Sequence, residues 1–286
     1  MMGLIVLRSA ASRAACEGSC QLHKQRLFER KNRAKVASNA ILCRTAQPAS
    51  FSALGVHALW LYPYKIMPTA ETPQTAQSGE TSSAHLLQRA GLQKLPSEKL
   101  ALFQLRNFLN AAQCEQLITL IEAERRPSTI ADANGDDYFR TSETCDLDMT
   151  NSAVAQLDAM LTSLSGIDPA HGEPLQGQRY DVGQEFKAHT DYFSPEGADY
   201  AKFCSVAGQR TWTFMIYLNE PEAGGATRFK AIKKSFQPET GKLLCWNNRR
   251  EDLSVNPNTL HHGMKVRKGL KYVITKWYRE KPWGWE

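Results

Sequence analysis

The sequence predicts an α+β chain in which helices come first and a β-sandwich or barrel core follows. From Leu102 the pattern becomes globular, with apolar residues at helical spacing after Asn110 and again from Asn151, whereas beyond Gly177 they fall into short β-branched and aromatic runs. Gly, Pro and Asn cluster between those runs, as in Glu220-Pro221-Glu222-Ala223-Gly224-Gly225 and Asn256-Pro257-Asn258. Such clusters mark tight connections between strands.

The elements follow in order. Asn110 and Gln113 form a helix start, because each side chain can cap a backbone donor of the first turn. Cys114, Leu117, Ile118 and Ile121 then repeat at i, i+3, i+4 and i+7 and share one face. A second helix runs from Asn151, with Val154, Leu157, Leu161 and Leu164 as its buried stripe. Both are expected to lie as buttresses on a sheet. The strands are expected at Gln178–Phe186, Thr211–Leu218, Ala226–Phe229, Leu243–Trp246 and Tyr272–Tyr278. A small-molecule site would sit in the mouth of such a barrel.

At 286 residues the chain has room for one sizeable domain and an appendage. Its charge of +6 is unevenly placed. Residues 1–66 carry ten basic side chains against Glu17 and Glu29, leaving the remainder slightly acidic. A body without net positive charge does not attract a phosphate backbone, which argues against a nucleic-acid partner. Residues 1–83 read as a disordered or targeting head, and 84–286 as the functional domain. The head is rich in Ala, Arg and Ser, like an organellar transit peptide. Two readings of it stay open: a transit peptide, or an over-extended start with translation beginning at Met67. The apolar stretch from Phe51 to Met67 contains His57, Pro63 and Lys65 and falls short of a membrane span, so no membrane partner is expected. Seven cysteines without regular spacing do not form a disulfide framework. A reduced, cytoplasmic setting is expected, or an organellar one if the head is a transit peptide.

The chemistry concentrates between residues 175 and 282. His189-Thr190-Asp191 and a distant His261 supply two imidazoles and a carboxylate, the facial triad that holds non-haem Fe(II). Residues at i and i+2 on a strand point to the same face, so one metal can take both His189 and Asp191. Lys271 follows ten residues after His261, a cation suited to an anionic co-substrate such as 2-oxoglutarate. His261 and His262 are neighbours and face opposite sides of a strand, so only one enters the site.

The order of motifs resembles the prolyl 4-hydroxylase family of Fe(II)/2-oxoglutarate dioxygenases. It runs from Tyr180-x-x-Gly183-x-x-Phe186-x-x-His189-x-Asp191 through Gly208-Gln209-Arg210-Thr211, Ile216-Tyr217-Leu218 and Gly224-Gly225-Ala226-Thr227-x-Phe229. It ends with Gly241-Lys242-Leu243-Leu244-Cys245-Trp246 and His261-x-Gly263-x-x-Val266-x-x-Gly269-x-Lys271. The upstream Arg140-Thr141-Ser142 also has a counterpart. This resemblance implies a double-stranded β-helix (jelly roll) with His189, Asp191 and His261 as iron ligands and His262 turned away. Lys271 would pair with the far carboxylate of 2-oxoglutarate, Tyr180 would donate its hydroxyl there, and Thr227 would line the pocket. O₂ and L-ascorbate are implied as further cofactors.

By the same resemblance Arg210, Trp277 and Phe186 lie where family members meet a proline-containing peptide. The implied activity is hydroxylation of a peptidyl proline with release of succinate and CO₂. A hydroxylase of a free amino acid or small metabolite is the alternative on the same scaffold, and a binding module with a degenerate site is the non-enzyme reading. The sequence departs from the family at Phe186, where many members have Tyr, and at Lys265, where Pro is usual. These departures put collagen-like specificity in doubt. The segment Ser194–Ala207 is expected to be a mobile substrate loop.

Overall fold

A computed structural model describes residues 81–128, 139–198 and 200–284. The expectations for the head, as far as residue 80, lie outside the described residues.

The chain opens with a short helix α1 (Ser83–Leu87), then β1 (Gln93–Lys94) and β2 (Leu102–Leu105). Helix α2 (Ala111–Glu124) follows with the capping box its sequence predicts: the Asn110 side chain accepts from the Gln113 backbone, and the Gln113 side chain accepts from the Asn110 backbone. After β3 (Arg126–Pro127) and β4 (Glu143–Asp146) comes α3 (Ser152–Ser165), capped at one end by Asn151 and ended by Gly166 in the left-handed conformation. The remaining elements are almost all strands. They are β5 (Gln176–Tyr180), β6 (Phe186–His189), β7 (Arg210–Tyr217), β8 (Ala223–Gly224), β9 (Thr227–Phe229) and β10 (Lys234–Phe236), with helix α4 (Tyr200–Cys204) before β7. They continue with β11 (Leu243–Asn247), β12 (His261–Gly263), β13 (Val266–Lys268) and β14 (Lys271–Arg279).

A large antiparallel sheet runs β1-β2-β11-β7-β14-β5-β4-β3, and a small one runs β10-β9-β12-β6. Strands β13 and β8 form a separate pair. The alternation of side chains assigns each face of the large sheet its task. Trp212, Phe214 and Ile216 of β7, Leu243 and Cys245 of β11, and Ile274 and Tyr278 of β14 join one apolar cluster with Cys114, Leu117 and Ile121 of α2 and Val154, Leu157 and Leu161 of α3. The intervening residues Met215, Tyr217, Leu244, Trp246 and Val273 join a second cluster with Phe229 and Phe236 of the small sheet. The arrangement is consistent with a double-stranded β-helix. Contact between α2 and β5 is close enough that a Cβ at Gly177 would lie 2.4 Å from Ile121 Cγ1, so only glycine fits there.

One expected strand is two. The run Gln178–Phe186 breaks after Tyr180, where Asp181–Glu185 turns through Gly183 at φ +89°. The Gln184 side chain accepts from the Asp181 backbone and stabilises that turn. The break carries the chain from the large sheet to the small one, so Tyr180 and His189 come to stand in different sheets. The segment Ser194–Ala207, expected as a loop, contains α4, and the Phe203 ring stacks on Phe193 at 5.1 Å. Cys114, Cys145, Cys204 and Cys245 are free thiols. Among the described residues no helix is long and apolar enough to cross a membrane.

Candidate metal centre and active-site cleft

His189 ends β6 and His261 begins its neighbour β12, paired in register. Asp191 lies two residues beyond His189. The ligand-capable atoms of the three residues lie within 4.8 Å of one another. Asp191 Oδ1 is 3.7 Å from His189 Nε2 and 4.0 Å from His261 Nε2. Both imidazoles are held from behind. His189 Nδ1 donates to the Lys187 carbonyl at 2.7 Å and His261 Nδ1 to the Thr259 carbonyl at 2.9 Å. A carbonyl can only accept, so each Nδ1 carries the hydrogen and each Nε2 presents a lone pair inward.

The electrostatics suit a divalent cation. Burial, reinforced by His261, pushes the His189 imidazole down to about 3, so it is neutral at pH 7. Burial would raise the Asp191 carboxyl, but the two imidazoles, Arg210 and the Thr213 hydroxyl outweigh it and hold it below the usual carboxylate range. With His189 neutral at pH 7, Arg210 and the Thr213 hydroxyl remain to stabilise the carboxylate there. Two imidazole nitrogens and one carboxylate oxygen are the donor set of a 2-His-1-carboxylate iron centre, and the residues fit that ion.

These three residues line a cleft of about 400 Å³ between the sheets. Lys271, at the start of β14 and only 2% exposed, lines it as well. Its ammonium sits 4.9 Å from the Tyr180 ring centre and 5.6 Å from that of Tyr217, and burial pushes its pKa down to about 7. Thr227 is in the cleft wall and accepts the Tyr217 hydroxyl at 2.7 Å. The Tyr180 hydroxyl, expected to be free for a ligand carboxylate, is donated to Gln178 at 2.8 Å.

The three expected substrate residues divide. Phe186 lines the cleft and stacks on His189, ring centres 3.5 Å apart. Trp277 also lines it, but the Arg210 guanidinium lies 3.9 Å over its ring and covers one face. Arg210 itself is engaged: two of its nitrogens donate to the Glu173 carboxylate at 2.7 and 2.8 Å, and a third donates to the Asp191 carbonyl. His262 is turned to Glu185, with Nε2 2.9 Å from the carboxylate.

Several cleft residues escaped the sequence reading. Gln178, Met215, Trp246 and Thr275 line it, and Thr213 donates to Asp191. A signal existed for Thr213 and Thr275: each is a polar residue at an inward position of an otherwise apolar strand. Gln178 lies inside an expected strand with no such contrast around it.

Residues 175–279 match the 2OG-Fe(II) oxygenase superfamily. Curated relatives include prolyl 4-hydroxylase 5 of Arabidopsis thaliana, 32% identical over 197 residues, covering 60% of this chain and 66% of the relative. Probable prolyl 4-hydroxylase 3 of the same plant is 30% identical over 199 residues, covering 61% of this chain and 68% of the relative. The chain spans about two thirds of the length of these relatives. Among solved structures, the viral collagen prolyl hydroxylase of Paramecium Bursaria Chlorella virus-1, in its 2OG complex, aligns with a TM-score of 0.48 at 22% identity. That alignment covers 62% of this chain and 94% of the viral one. The identity to the plant enzymes over most of their length places the motifs in one lineage, and the chain belongs to the prolyl 4-hydroxylase family of 2OG-Fe(II) oxygenases.

Proposed function

We propose that this chain is a jelly-roll Fe(II)/2-oxoglutarate dioxygenase that hydroxylates a peptidyl proline. The observation that carries the reading is the pairing, in one cleft, of a convergent His-Asp-His triad with a buried lysine that has no carboxylate partner among the described residues. His189 Nε2, Asp191 Oδ1 and His261 Nε2 would hold Fe(II). Lys271 would hold the far carboxylate of 2-oxoglutarate, with Thr227 and the Tyr180 ring beside it. When bound, the metal and 2-oxoglutarate supply O₂-dependent oxidation of a C–H bond, with release of succinate and CO₂. L-ascorbate is the expected reductant.

The protein's own residues orient and exclude. The carbonyls of Lys187 and Thr259 fix the two imidazole tautomers. Phe186 packs flat on His189 and keeps water from its face. Substrate would enter along Gln178, Thr275 and Trp277, a neutral wall suited to an uncharged prolyl peptide. Because Arg210 is committed to Glu173, its part in this reading is to brace Trp277 and the Asp191 backbone rather than to pair with substrate.

The test is to supply the full chain with Fe(II), 2-oxoglutarate and ascorbate and to follow succinate against a library of proline-containing peptides. Mass spectrometry should find one added oxygen on proline. Turnover with free amino acids and none with peptides would transfer the reading to a small-metabolite hydroxylase. No visible metal-to-ligand charge-transfer band with Fe(II) and 2-oxoglutarate under anaerobic conditions would overturn both.

A further inference from the structure

We propose that Asn248 and Thr213 form a one-way hydrogen-bond relay that sets the Asp191 carboxylate for the metal, so that Oδ1 alone is presented as a ligand. This inference rests on the reading of His189, Asp191 and His261 as the ligand set.

The Thr213 hydroxyl donates to Asp191 Oδ2 at 2.7 Å, and Asn248 Nδ2 donates to Thr213 Oγ1 at 2.9 Å. Thr213 and Asn248 are both fully buried, and neither belongs to the triad. Chemistry fixes the direction of the relay. A carboxylate only accepts and an amide NH₂ only donates, while the threonine hydroxyl has a single hydrogen to give. With Asn248 donating to it, that hydrogen has one destination, Asp191 Oδ2. Turning the amide over would offer Thr213 an acceptor instead and strip the carboxylate of its donor.

The main chain that carries the Asn248 amide is fixed on both sides. Its backbone N–H donates to the Thr211 carbonyl at 2.7 Å, and its carbonyl accepts from Asn256 at 2.9 Å. Its Oδ1 is buried with no hydrogen-bond partner among the described residues. A buried amide that leaves its own oxygen unsatisfied while donating to Thr213 is explained by the donor it supplies. The consequence appears at the other end. With Oδ2 engaged, the remaining oxygen Oδ1 is the one that faces His189 Nε2 and His261 Nε2, at 3.7 and 4.0 Å. A carboxylate pinned through one oxygen cannot swing to chelate through both. The hydrogen bonds behind metal ligands commonly change metal affinity by about 10–100-fold.

The experiment titrates the metal-free full chain anaerobically with Co(II) and Fe(II), without 2-oxoglutarate, reading the Co(II) absorption bands and the metal-induced rise in melting temperature. Thr213→Val should bind about 10–100-fold more weakly. Thr213→Ser, which keeps the hydroxyl, should bind close to wild type. Asn248→Leu should also weaken binding, and the Thr213→Val/Asn248→Leu double variant should bind no more weakly than Thr213→Val alone, because the two act in series. Should Thr213→Val fail to fold, Asn248→Leu against Thr213→Ser carries the same comparison. Wild-type affinity in folded Thr213→Val, equal weakness in Thr213→Ser, or additive losses in the double variant would overturn the relay. Asp191→Ala separates the two ideas: loss of Co(II) binding there upholds the ligand set, and retained binding would overturn the ligand set and the relay with it.

Discussion

Replacing Lys271 with Met should make the metal-free protein more stable while removing its response to 2-oxoglutarate. Lys271 is 2% exposed, and burial lowers its pKa from 10.5 to about 7. Between those values the unfolded chain holds a proton that the folded chain gives up. Stability therefore rises with pH from about 7 towards 10.5, and the full penalty is present below 7. At pH 8 the side chain is mostly neutral in the fold and charged when unfolded. Each factor of ten in proton affinity is worth about 1.4 kcal/mol, so the penalty there is about 3 kcal/mol. Met keeps the methylene stem and has no proton to lose.

A gain of that size raises the melting temperature of a domain of this kind by about 6–12 °C. The assay is thermal and denaturant unfolding of the full chain at pH 8, for wild type and Lys271→Met, with and without 2-oxoglutarate and metal. Wild type should be stabilised by 2-oxoglutarate and the variant should not. Pairing with the ligand requires the ammonium form, so wild-type affinity for 2-oxoglutarate should fall about tenfold per pH unit above 7. A variant less stable than wild type would refute the reasoning that Lys271 is a buried, unpaired cation. Unchanged stabilisation by 2-oxoglutarate in the variant would refute its role as the anion's partner.

His189→Ala and His261→Ala should abolish metal binding and turnover, while His262→Ala, which loses only its contact with Glu185, should keep most of both; equal loss at 261 and 262 would contradict the ligand set. Lys276→Met should destabilise the fold by about 3–5 kcal/mol in urea unfolding, because it strands Asp158, whose carboxylate is 2.6 Å from the ammonium. Replacing Asp158 with Asn in the same chain should recover part of that loss. Gly177→Val should cost about 1–3 kcal/mol by driving a branched side chain into Ile121, and Ile121→Ala should suppress that cost; no suppression would place the strain elsewhere.

The helix starts and buried stripes were legible because capping chemistry and 3.6-residue periodicity are local properties. Asn110 and Gln113 carry the box, and Cys114, Leu117 and Ile121 carry the face, within a dozen residues. The convergence of His189, Asp191 and His261 was legible from the His-x-Asp spacing and one distant His, although the strand ends at His189 and Asp191 lies beyond it rather than on the same strand. The break at Gly183 was harder to read. A continuous β-rich run from Gln178 to Phe186 hides a crossing between sheets, and the crossing is decided by the tertiary bond from Gly183 N–H to the Val266 carbonyl. The commitment of Arg210 was hidden likewise, since Glu173 lies 37 positions away and nothing local names it as the partner. Asn248 had no signal, because its task depends on a register between β11 and β7 that only the folded sheet fixes.

The buried cations of this fold argue for the same site from a different direction. Lys276 pairs with Asp158 at 2.6 Å, Arg279 with Glu173 at 3.1 Å, and Lys242 with Glu239 at 2.7 Å. Each of these side chains is at most 3% exposed, and each has the carboxylate that burial of a charge demands. Lys271 is as deeply buried, yet it has no carboxylate partner among the described residues; the aromatic faces of Tyr180 and Tyr217 near its ammonium offset little of the desolvation. The difference is not one of crowding, since Lys271 alone of the four lines the cleft that holds the triad. Among the described residues the other three buried cations are compensated from within, and Lys271 is not. A carboxylate reaching in from the metal side would compensate it, and a dicarboxylate bound to a metal held by His189, Asp191 and His261 would extend one, which is why we propose Lys271 as its partner.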